Sequence, residues 1–332
     1  MPATAQTHRR REWSVRLAAT GLALLALAAV PLVLLNGAAP LPVPSPLDVP
    51  LPPSSPPPDL RLFRIETGVT HRSALFAYRG GSWADKRDFA LDAVLVRHPR
   101  GDLLIDAGLG RRGDEHLAEM PWLFRAMTRL EKGRPAAQQL SDAGVSLANL
   151  RVLLTHAHWD HASGLSDLGD VRVLVTAEER RFVDEGGFLS AAARDATGAR
   201  WELYTFEGGA YLGYASHHDV FGDGSVVVVP APGHTPGSVI VFVSTPQQRY
   251  AFVGDLAWQL EGILEREERP WPTRAFGDTN AEQVRVELSR MDAIARRFPE
   301  IQIVPAHDAR AYAGILPLPL AGSPAARPTR SP

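Results

Sequence analysis

A short run of metal-binding residue types limits the folds open to this chain more than any other feature. Residues 155–161 follow the apolar residues 152–154 and precede a small-residue turn at 162–164. They include three histidines and one aspartate, at His156, His158, Asp160 and His161. Collecting these polar groups at the end of a short buried strand is costly unless they bind something. We therefore predict a metal site at the end of this strand.

Three further candidate ligands lie later in the chain, each directly after an apolar, strand-like run. His234 lies in a Gly-His-Thr-Pro-Gly sequence, Asp255 follows a Val-Gly pair, and His307 lies in a Pro-Ala-His-Asp sequence. Strand ends that converge on one edge would bring all seven side chains together. The chain has no cysteine, which excludes disulfides, thiolate ligands and cysteine nucleophiles. Imidazole and carboxylate ligands suit zinc, and also iron, manganese or cobalt.

The order and setting of these seven residues resemble the metallo-β-lactamase-fold hydrolase superfamily. The resemblance covers the region from residue 60 to residue 315. It implies an α/β fold, the αββα four-layer sandwich, in which two mixed β-sheets pack face to face with helices outside. It also implies a centre of two divalent metal ions. By position, one ion would be held by His156, His158 and His234, the other by Asp160, His161 and His307, and Asp255 would bridge them.

The resemblance further implies a mechanism in which a metal-bridged hydroxide attacks the carbonyl of an ester. Asp160 and Asp255 would be the catalytic carboxylates. Asp160 would orient the hydroxide or pass its proton to the leaving group. Asp106 also matches a family position, where it would either accept a hydrogen bond from a ligand imidazole or simply form a turn.

Within the superfamily, the pattern is closest to the N-acyl homoserine lactonases. The main zinc β-lactamases have a cysteine at the position of Asp255, and glyoxalase II adds a helical domain for which too few residues follow His307. A net charge of −2 gives no basic face for nucleic acid, so RNA processing is not expected. The lactonases place a substrate-contacting tyrosine three residues after the bridging aspartate. Here that position is Trp258, either a substrate-binding residue or part of the pocket wall.

We therefore predict a metal-dependent hydrolase of a small-molecule lactone or other carboxylic ester. A phosphodiester or phosphonate-type esterase with the same centre is one alternative. A non-catalytic, metal-dependent binding module is the other.

The N-terminal region predicts export. Arginines at positions 9–11 and 16 precede the uncharged, mostly apolar residues 17–35, which are long enough to cross a bilayer. Residues 1–39 are predicted to be a signal anchor that crosses the membrane, and a cleavable signal peptide is the alternative. The positive-inside rule places the rest of the chain outside the cytoplasm. We expect a cell-envelope protein, or a secreted or periplasmic one after cleavage; the oligomeric state does not follow from the sequence.

The remaining boundaries follow from composition. Residues 40–59 are rich in proline, which predicts an extended, semi-rigid spacer. The catalytic domain is expected at 60–317, and residues 318–332 are expected to be a disordered tail. Strands are predicted at 62–67, 73–78, 89–97, 103–106, 171–175, 226–229, 239–243, 250–253 and 301–304. Helices are predicted at 117–130, 136–143, 177–183 and 281–298, the last capped by Asn280.

Several other residues have two interpretations. The predicted helix 117–130 and the aromatic-rich residues 201–214 would form an apolar cleft, or simply pack in the core. Arg266, Arg269 and Arg274 would bind an anionic substrate, or remain solvated. The remaining histidines are expected to be structural or solvated: His71, His98, His116, His217 and His218.

Overall fold

The computed structural model describes residues 36–321. Residues 1–35 of the predicted signal anchor, 1–39, and residues 322–332 of the predicted tail lie outside the described residues. Within the described part of the chain, no helix is both long and apolar enough to span a bilayer.

The strands form two large mixed sheets and a small antiparallel one. The first sheet has the order β15-β1-β4-β5-β7-β8-β9 and the second has the order β10-β11-β12-β13-β14. The first contains β1 (Arg61–Ile65), β4 (Ala93–Arg97), β5 (Leu103–Ile105), β7 (Arg151–Leu153), β8 (Arg172–Val175), β9 (Arg200–Leu203) and β15 (Leu316–Pro317). The second contains β10 (His218–Asp219), β11 (Val226–Pro230), β12 (Val239–Ser244), β13 (Arg249–Phe252) and β14 (Ile301–Val304). The three-stranded sheet contains β2 (Gly68–Ser73), β3 (Lys86–Ala90) and β6 (Arg129–Lys132).

The helices of the described residues lie mainly outside the two large sheets. They are α1 (Gly113–Ala118), α2 (Trp122–Ala126), α3 (Ala136–Asp142), α4 (Trp159–Ala162), α5 (Leu165–Leu168), α6 (Ala177–Glu185), α7 (Ala191–Arg194), α8 (Glu261–Leu264), α9 (Trp271–Gly277) and α10 (Ala281–Arg297). Helix α10 is capped as predicted, since the Asn280 side chain accepts from the backbone N–H groups of Glu282 and Gln283.

Three apolar clusters define four layers. The central one joins the inner faces of the two large sheets, for example Val94 and Ile105 of the first with Val228 and Val241 of the second. Another fills the space between the first sheet and helices α3, α5, α6 and α7, and the third lies between the second sheet and α10. This is the predicted αββα sandwich. Its central strands, such as β4, β5, β11 and β12, are buried on both faces, which explains their nearly continuous runs of valine and leucine.

Three predicted elements were wrong in ways that shape the site. The single helix at 117–130 is interrupted at Pro121, and its last residues belong to β6. A strand was predicted at 73–78, but β2 already ends at Ser73 and a short 3₁₀ helix follows at Ala74–Phe76. The strand predicted at 89–97 is two strands, β3 and β4, which belong to different sheets. All three differences concern residues in or next to the three-stranded sheet. Its strands, β2, β3 and β6, belong to neither of the two large sheets.

The proline-rich segment has neither helix nor strand, as expected, but it is not a free spacer. Four apolar side chains pack against the outer cluster of the second sheet, namely Leu41, Leu47, Val49 and Leu51. The Leu41 N–H donates to the Arg266 carbonyl over 2.8 Å, and Arg249 donates to the Pro52 carbonyl over 2.9 Å. Polyproline-type backbone has no internal hydrogen bonds, so its amides and carbonyls are free to bond the domain. Two residues assigned to the predicted tail likewise bond to the domain, since the N–H groups of Leu318 and Ala321 donate to the carbonyls of Arg64 and Asp142.

Candidate metal centre

The seven candidate ligands converge at one edge of the sandwich, between the two large sheets. The loop after β7 carries His156 and His158, and α4 carries Asp160 and His161. His234, Asp255 and His307 follow β11, β13 and β14 respectively. Each strand therefore delivers its polar residue to the same edge, as the sequence pattern predicted.

The donor atoms form two groups. One contains His156, His158, His234 and Asp255, and the other contains Asp160, His161 and His307. Within each group the donor atoms lie within 4.8 Å of one another. Such spacing allows one cation to contact every donor of a group.

Asp255 faces both groups with different oxygens. Its Oδ2 lies 3.3 Å from His234 Nε2 and 4.0 Å from His156 Nε2. Its Oδ1 lies 3.2 Å from His161 Nε2 and 3.1 Å from His307 Nε2. Gly254 lets the backbone before Asp255 pass close to Thr155. Its φ of +53° is left-handed, and a Cβ at this position would stand 2.9 Å from Thr155 Cβ.

Hydrogen bonds on the far side of the rings fix the tautomer of four histidines. His161 Nδ1 donates to Asp106 Oδ2 and His234 Nδ1 donates to Asp278 Oδ1, both over 2.8 Å. His307 Nδ1 donates to the Ala90 carbonyl over 2.7 Å. His156 Nδ1 lies 3.2 Å from the hydroxyl of Thr155, which itself donates to Asp106. With Nδ1 protonated, Nε2 is left with the lone pair that a metal ion requires.

The inward-facing atoms fit a cation. Among the described residues, Nε2 of His156, His158, His161 and His234 and Oδ1 of Asp255 are buried and have no hydrogen-bond partner. Burying several polar atoms without partners is unfavourable by about 1–3 kcal/mol each. A bound cation would satisfy these lone pairs at once, and nitrogen and oxygen donors suit a divalent metal such as zinc.

Electrostatics favour the ligand forms of His156, His158 and Asp255. Burial holds the pKa of His156 and of His158 well below the ordinary histidine value, so both imidazoles are neutral. Burial also disfavours the Asp255 carboxylate, but the adjacent His307 and His161 outweigh it and hold the pKa of Asp255 well below its usual range. The aspartate between the groups is therefore ionised. At His161 and His307 burial is outweighed by adjacent carboxylates, which raise the pKa of both rings: Asp106 and Asp255 at His161, and Asp255 at His307.

Comparisons with known proteins agree with this arrangement. The sequence profile of the metallo-beta-lactamase superfamily matches residues 88–307. The chain belongs to that superfamily. A probable metallo-hydrolase of Mycobacterium tuberculosis is 31% identical over 234 residues, covering 66% of this chain and 74% of the relative. The N-acyl homoserine lactonase AttM of Agrobacterium fabrum is 24% identical over 278 residues, covering 79% of this chain and 98% of the relative.

A solved structure shows the same fold. An N-acyl homoserine lactone hydrolase, with its product N-hexanoyl-L-homoserine at the catalytic metal centre, matches with a TM-score of 0.59 at 16% identity. The match covers 75% of this chain and 94% of that chain. The predicted superfamily and fold are thus confirmed: the chain is a metallo-β-lactamase-fold hydrolase, and N-acyl homoserine lactonases are among the proteins that it resembles.

Sequence reasoning missed a carboxylate that joins the two ligand-bearing loops of this metallo-β-lactamase-fold enzyme. The buried Glu179 accepts from the backbone N–H of Ala157, from the Thr235 hydroxyl over 2.6 Å and from the Gly237 N–H over 3.0 Å. It therefore fixes the loop of His156 and His158 against the loop of His234. A glutamate in the first turn of a helix usually only interacts with the helix dipole, so its position gave no sign of this role.

A second missed network lies behind His234. Asp278 accepts both from His234 and from the buried Arg269, which also donates to the Asp255 carbonyl. Arg269 is thus committed to the interior, while Arg274 pairs with Glu268 and Arg266 bonds Leu41 and Asp292. These pairings leave none of the three predicted arginines free for an anionic substrate.

Trp258 lies next to the candidate ligands and hydrogen-bonds to one of them, besides lining the wall of a crevice. Its indole Nε1 donates to Asp255 Oδ2 over 2.7 Å, and its ring packs edge-on against Phe89 and near His307. With Asp160, His307 and Phe124 it lines a narrow crevice that leads to the ligand groups. The aromatic-rich residues 201–214 do not reach this crevice, since Tyr204, Tyr211 and Tyr214 are buried in the core clusters.

The other five histidines of residues 36–321 lie outside both donor groups. His98 stacks on Phe221, and His116 bonds Ser163. His71 lies between Asp88 and Glu131 on the three-stranded sheet. His218 is the first residue of the short strand β10, and His217 directly precedes it.

Proposed function

We propose that this chain is a binuclear metal-dependent hydrolase that opens lactones or cleaves other carboxylic esters. One observation carries the proposal: the two oxygens of Asp255 face two separate histidine groups. A carboxylate in that position can bind two cations at once. Carried over residue by residue, His156, His158 and His234 hold one ion, Asp160, His161 and His307 hold the other, and Asp255 is shared.

The side chains provide the geometry for hydrolysis. When bound, two divalent cations would lower the pKa of a water molecule towards neutrality and would polarise the carbonyl oxygen of an ester. Asp160 and His307 are the candidate ligands that line the crevice, with Asp160 Oδ2 3.4 Å from His307 Nε2. From there the Asp160 carboxylate can orient the nucleophile and carry a proton to the leaving alkoxide. Trp258 and Phe124 form the apolar walls that exclude water around the scissile bond.

Two observations support carboxylic esters as the substrate class. The N-acyl homoserine lactonase AttM aligns over nearly its whole length, and the similar solved enzyme holds the opened lactone at its metal centre.

The proposal includes a location. Residues 17–35 follow four arginines and are uncharged and mostly apolar, which supports export with the catalytic domain anchored at the outer face of the membrane. Fractionation of cells expressing the full chain tests this. Recovery of the protein in the cytoplasmic fraction would overturn it, and recovery in the periplasm without residues 1–39 would support the cleaved alternative.

Metal analysis combined with turnover tests the chemistry. The zinc-loaded protein should hold two ions per chain and hydrolyse N-hexanoyl homoserine lactone or p-nitrophenyl acetate in preference to bis-p-nitrophenyl phosphate. Preferred phosphodiester cleavage would favour the esterase alternative, and two ions without turnover of any ester would favour a binding module.

Asp255→Ala then tests the shared ligand. We expect no more than about one ion per chain and a loss of activity of at least about 100-fold. Asp170→Ala, at an exposed position, is the matched control. Full occupancy with normal rates in Asp255→Ala would exclude the bridging role.

A further inference from the structure

A groove of about 850 Å³ lies beside the crevice of the metal centre, along the three-stranded sheet. Arg72, on β2, lines both spaces. In the crevice it is accompanied by Asp160 and His307. A substrate whose ester carbonyl lies at the ligand groups can therefore extend past Arg72 into the groove.

The groove contains more positive charge than its own carboxylates balance. Two of its arginines are neutralised, because Arg87 pairs with Asp85 and Glu261, and Arg310 pairs with Asp308 and Glu261. Among the described residues, the other three cations of the groove form no ion pair with a carboxylate: Arg72, Lys86 and Arg129. The groove carboxylate of Asp88 is already bonded to His71.

Arg72 is a desolvated cation with unused hydrogen-bonding capacity. Its guanidinium lies over the Phe124 ring, 4.7 Å from the centroid, and donates to the Thr128 hydroxyl. Its Nε is buried and has no partner among the described residues. Burial lowers the pKa of Arg72 to about 10, and the field of Asp160 only partly opposes this. A desolvated guanidinium gains most from a carboxylate, which matches its planar donors.

Part of the groove lining is apolar and open to solvent. Trp83 is 63% exposed and Met127 is 47% exposed, so both offer apolar surface to a ligand in the groove. Lys86 Nζ lies 4.6 Å from the centroid of the Trp83 ring. The groove thus offers an apolar surface flanked by unpaired cations.

We propose that the groove binds a carboxylate carried by the substrate, so that the preferred substrates are esters or lactones with a second, anionic group at the end of a short apolar spacer. Arg72 is the specificity-determining residue, and Lys86 and Arg129 assist it. This inference rests on the proposed function for its substrate class. The assignment of the carboxylate-binding site itself depends only on the residues that line the groove.

A pair of esters that differ only in charge tests the proposal. The zinc-loaded full chain should hydrolyse p-nitrophenyl hydrogen glutarate with a kcat/KM at least about tenfold above that for its methyl ester. Arg72→Met should remove this preference by lowering kcat/KM for the anionic ester about 10- to 100-fold and for the methyl ester less than about threefold. Arg72→Lys should restore part of it. Arg181→Met, at an exposed position, controls for net charge.

Equal losses on both esters, or a wild-type preference for the methyl ester, would overturn the proposal. Calorimetric binding of the unreactive amide N-(4-nitrophenyl)glutaramate separates this outcome from a failure of the proposed function. Binding that weakens about tenfold in Arg72→Met but not in Arg181→Met supports the groove even if no ester turns over. Equal binding by all variants, or none by the wild type, rejects it.

Discussion

Trp258 donates its indole N–H to the same carboxylate, Asp255, that faces both histidine groups. The contact of 2.7 Å fixes Oδ2 on the side of His234 and leaves Oδ1 for His161 and His307. Trp258→Phe keeps an aromatic ring but removes the donor. We expect about tenfold weaker retention of zinc, measured by competition with a chromophoric chelator. Trp271→Phe, at an exposed position on α9, is the matched control, and an unchanged chelation profile for Trp258→Phe would contradict the role assigned here.

Asp106→Asn tests the support of His161. Asp106 accepts from His161 Nδ1, from the Thr155 N–H and from the Thr155 hydroxyl, at 2.7–2.8 Å. Asparagine tolerates the left-handed φ of +57° at this position but supplies one acceptor oxygen instead of two. We expect a loss of about 1–3 kcal/mol in the free energy of unfolding and a lower metal content, measured by denaturant titration and elemental analysis. Asp102→Asn makes the same change in a surface pair with Arg97, and equal effects at the two sites would argue against a role in the centre.

Glu179→Gln tests the link between the two ligand loops. The Ala157 N–H and the Gly237 N–H are bonded to different oxygens of Glu179, so an amide can accept from only one of them. The other N–H would be buried without an acceptor. We expect metal affinity to fall about 10- to 100-fold, measured by chelator competition. Glu178→Gln, one residue earlier and exposed, should behave as the wild type; a normal affinity in Glu179→Gln would show that the loops hold their positions without it.

The docked proline-rich segment should stabilise the domain. A chain that begins at residue 59 lacks Leu41, Leu47, Val49 and Leu51, and it exposes the apolar surface that they cover. Since these side chains are only partly buried, we expect a loss of roughly 2–4 kcal/mol relative to a chain that begins at residue 36. Calorimetric unfolding measures the difference. Equal melting temperatures would mean that the segment is a free spacer, as its composition alone suggested.

The ligand set could be predicted because its signal is local. Each donor follows an apolar run, and a strand that ends at the shared edge places its next polar residue there without further information. The resemblance implied that the donors fall into two groups. In the structure, one oxygen of Asp255 faces His234 and the other faces His307.

What could not be predicted depends on contacts between distant parts of the chain. Apolar spacing over residues 117–130 is helical, but Pro121 ends α1, and the pairing of β6 with β2 decides the conformation of the last residues. The roles of Glu179 and Arg269 are likewise set by partners in other segments. Arg72 gave no signal in the sequence, because an arginine in an alternating strand is usually solvated, and only the tertiary packing buries it.

The bond from His307 Nδ1 to the Ala90 carbonyl joins residues 217 positions apart, and it has a consequence for biosynthesis. A ribosome releases the first histidine group long before the strand that carries His307. Pairing of such distant residues is slow and can occur only after nearly the whole domain has emerged. The second group therefore remains incomplete on the nascent chain, so the enzyme can become active only after synthesis of the domain has finished.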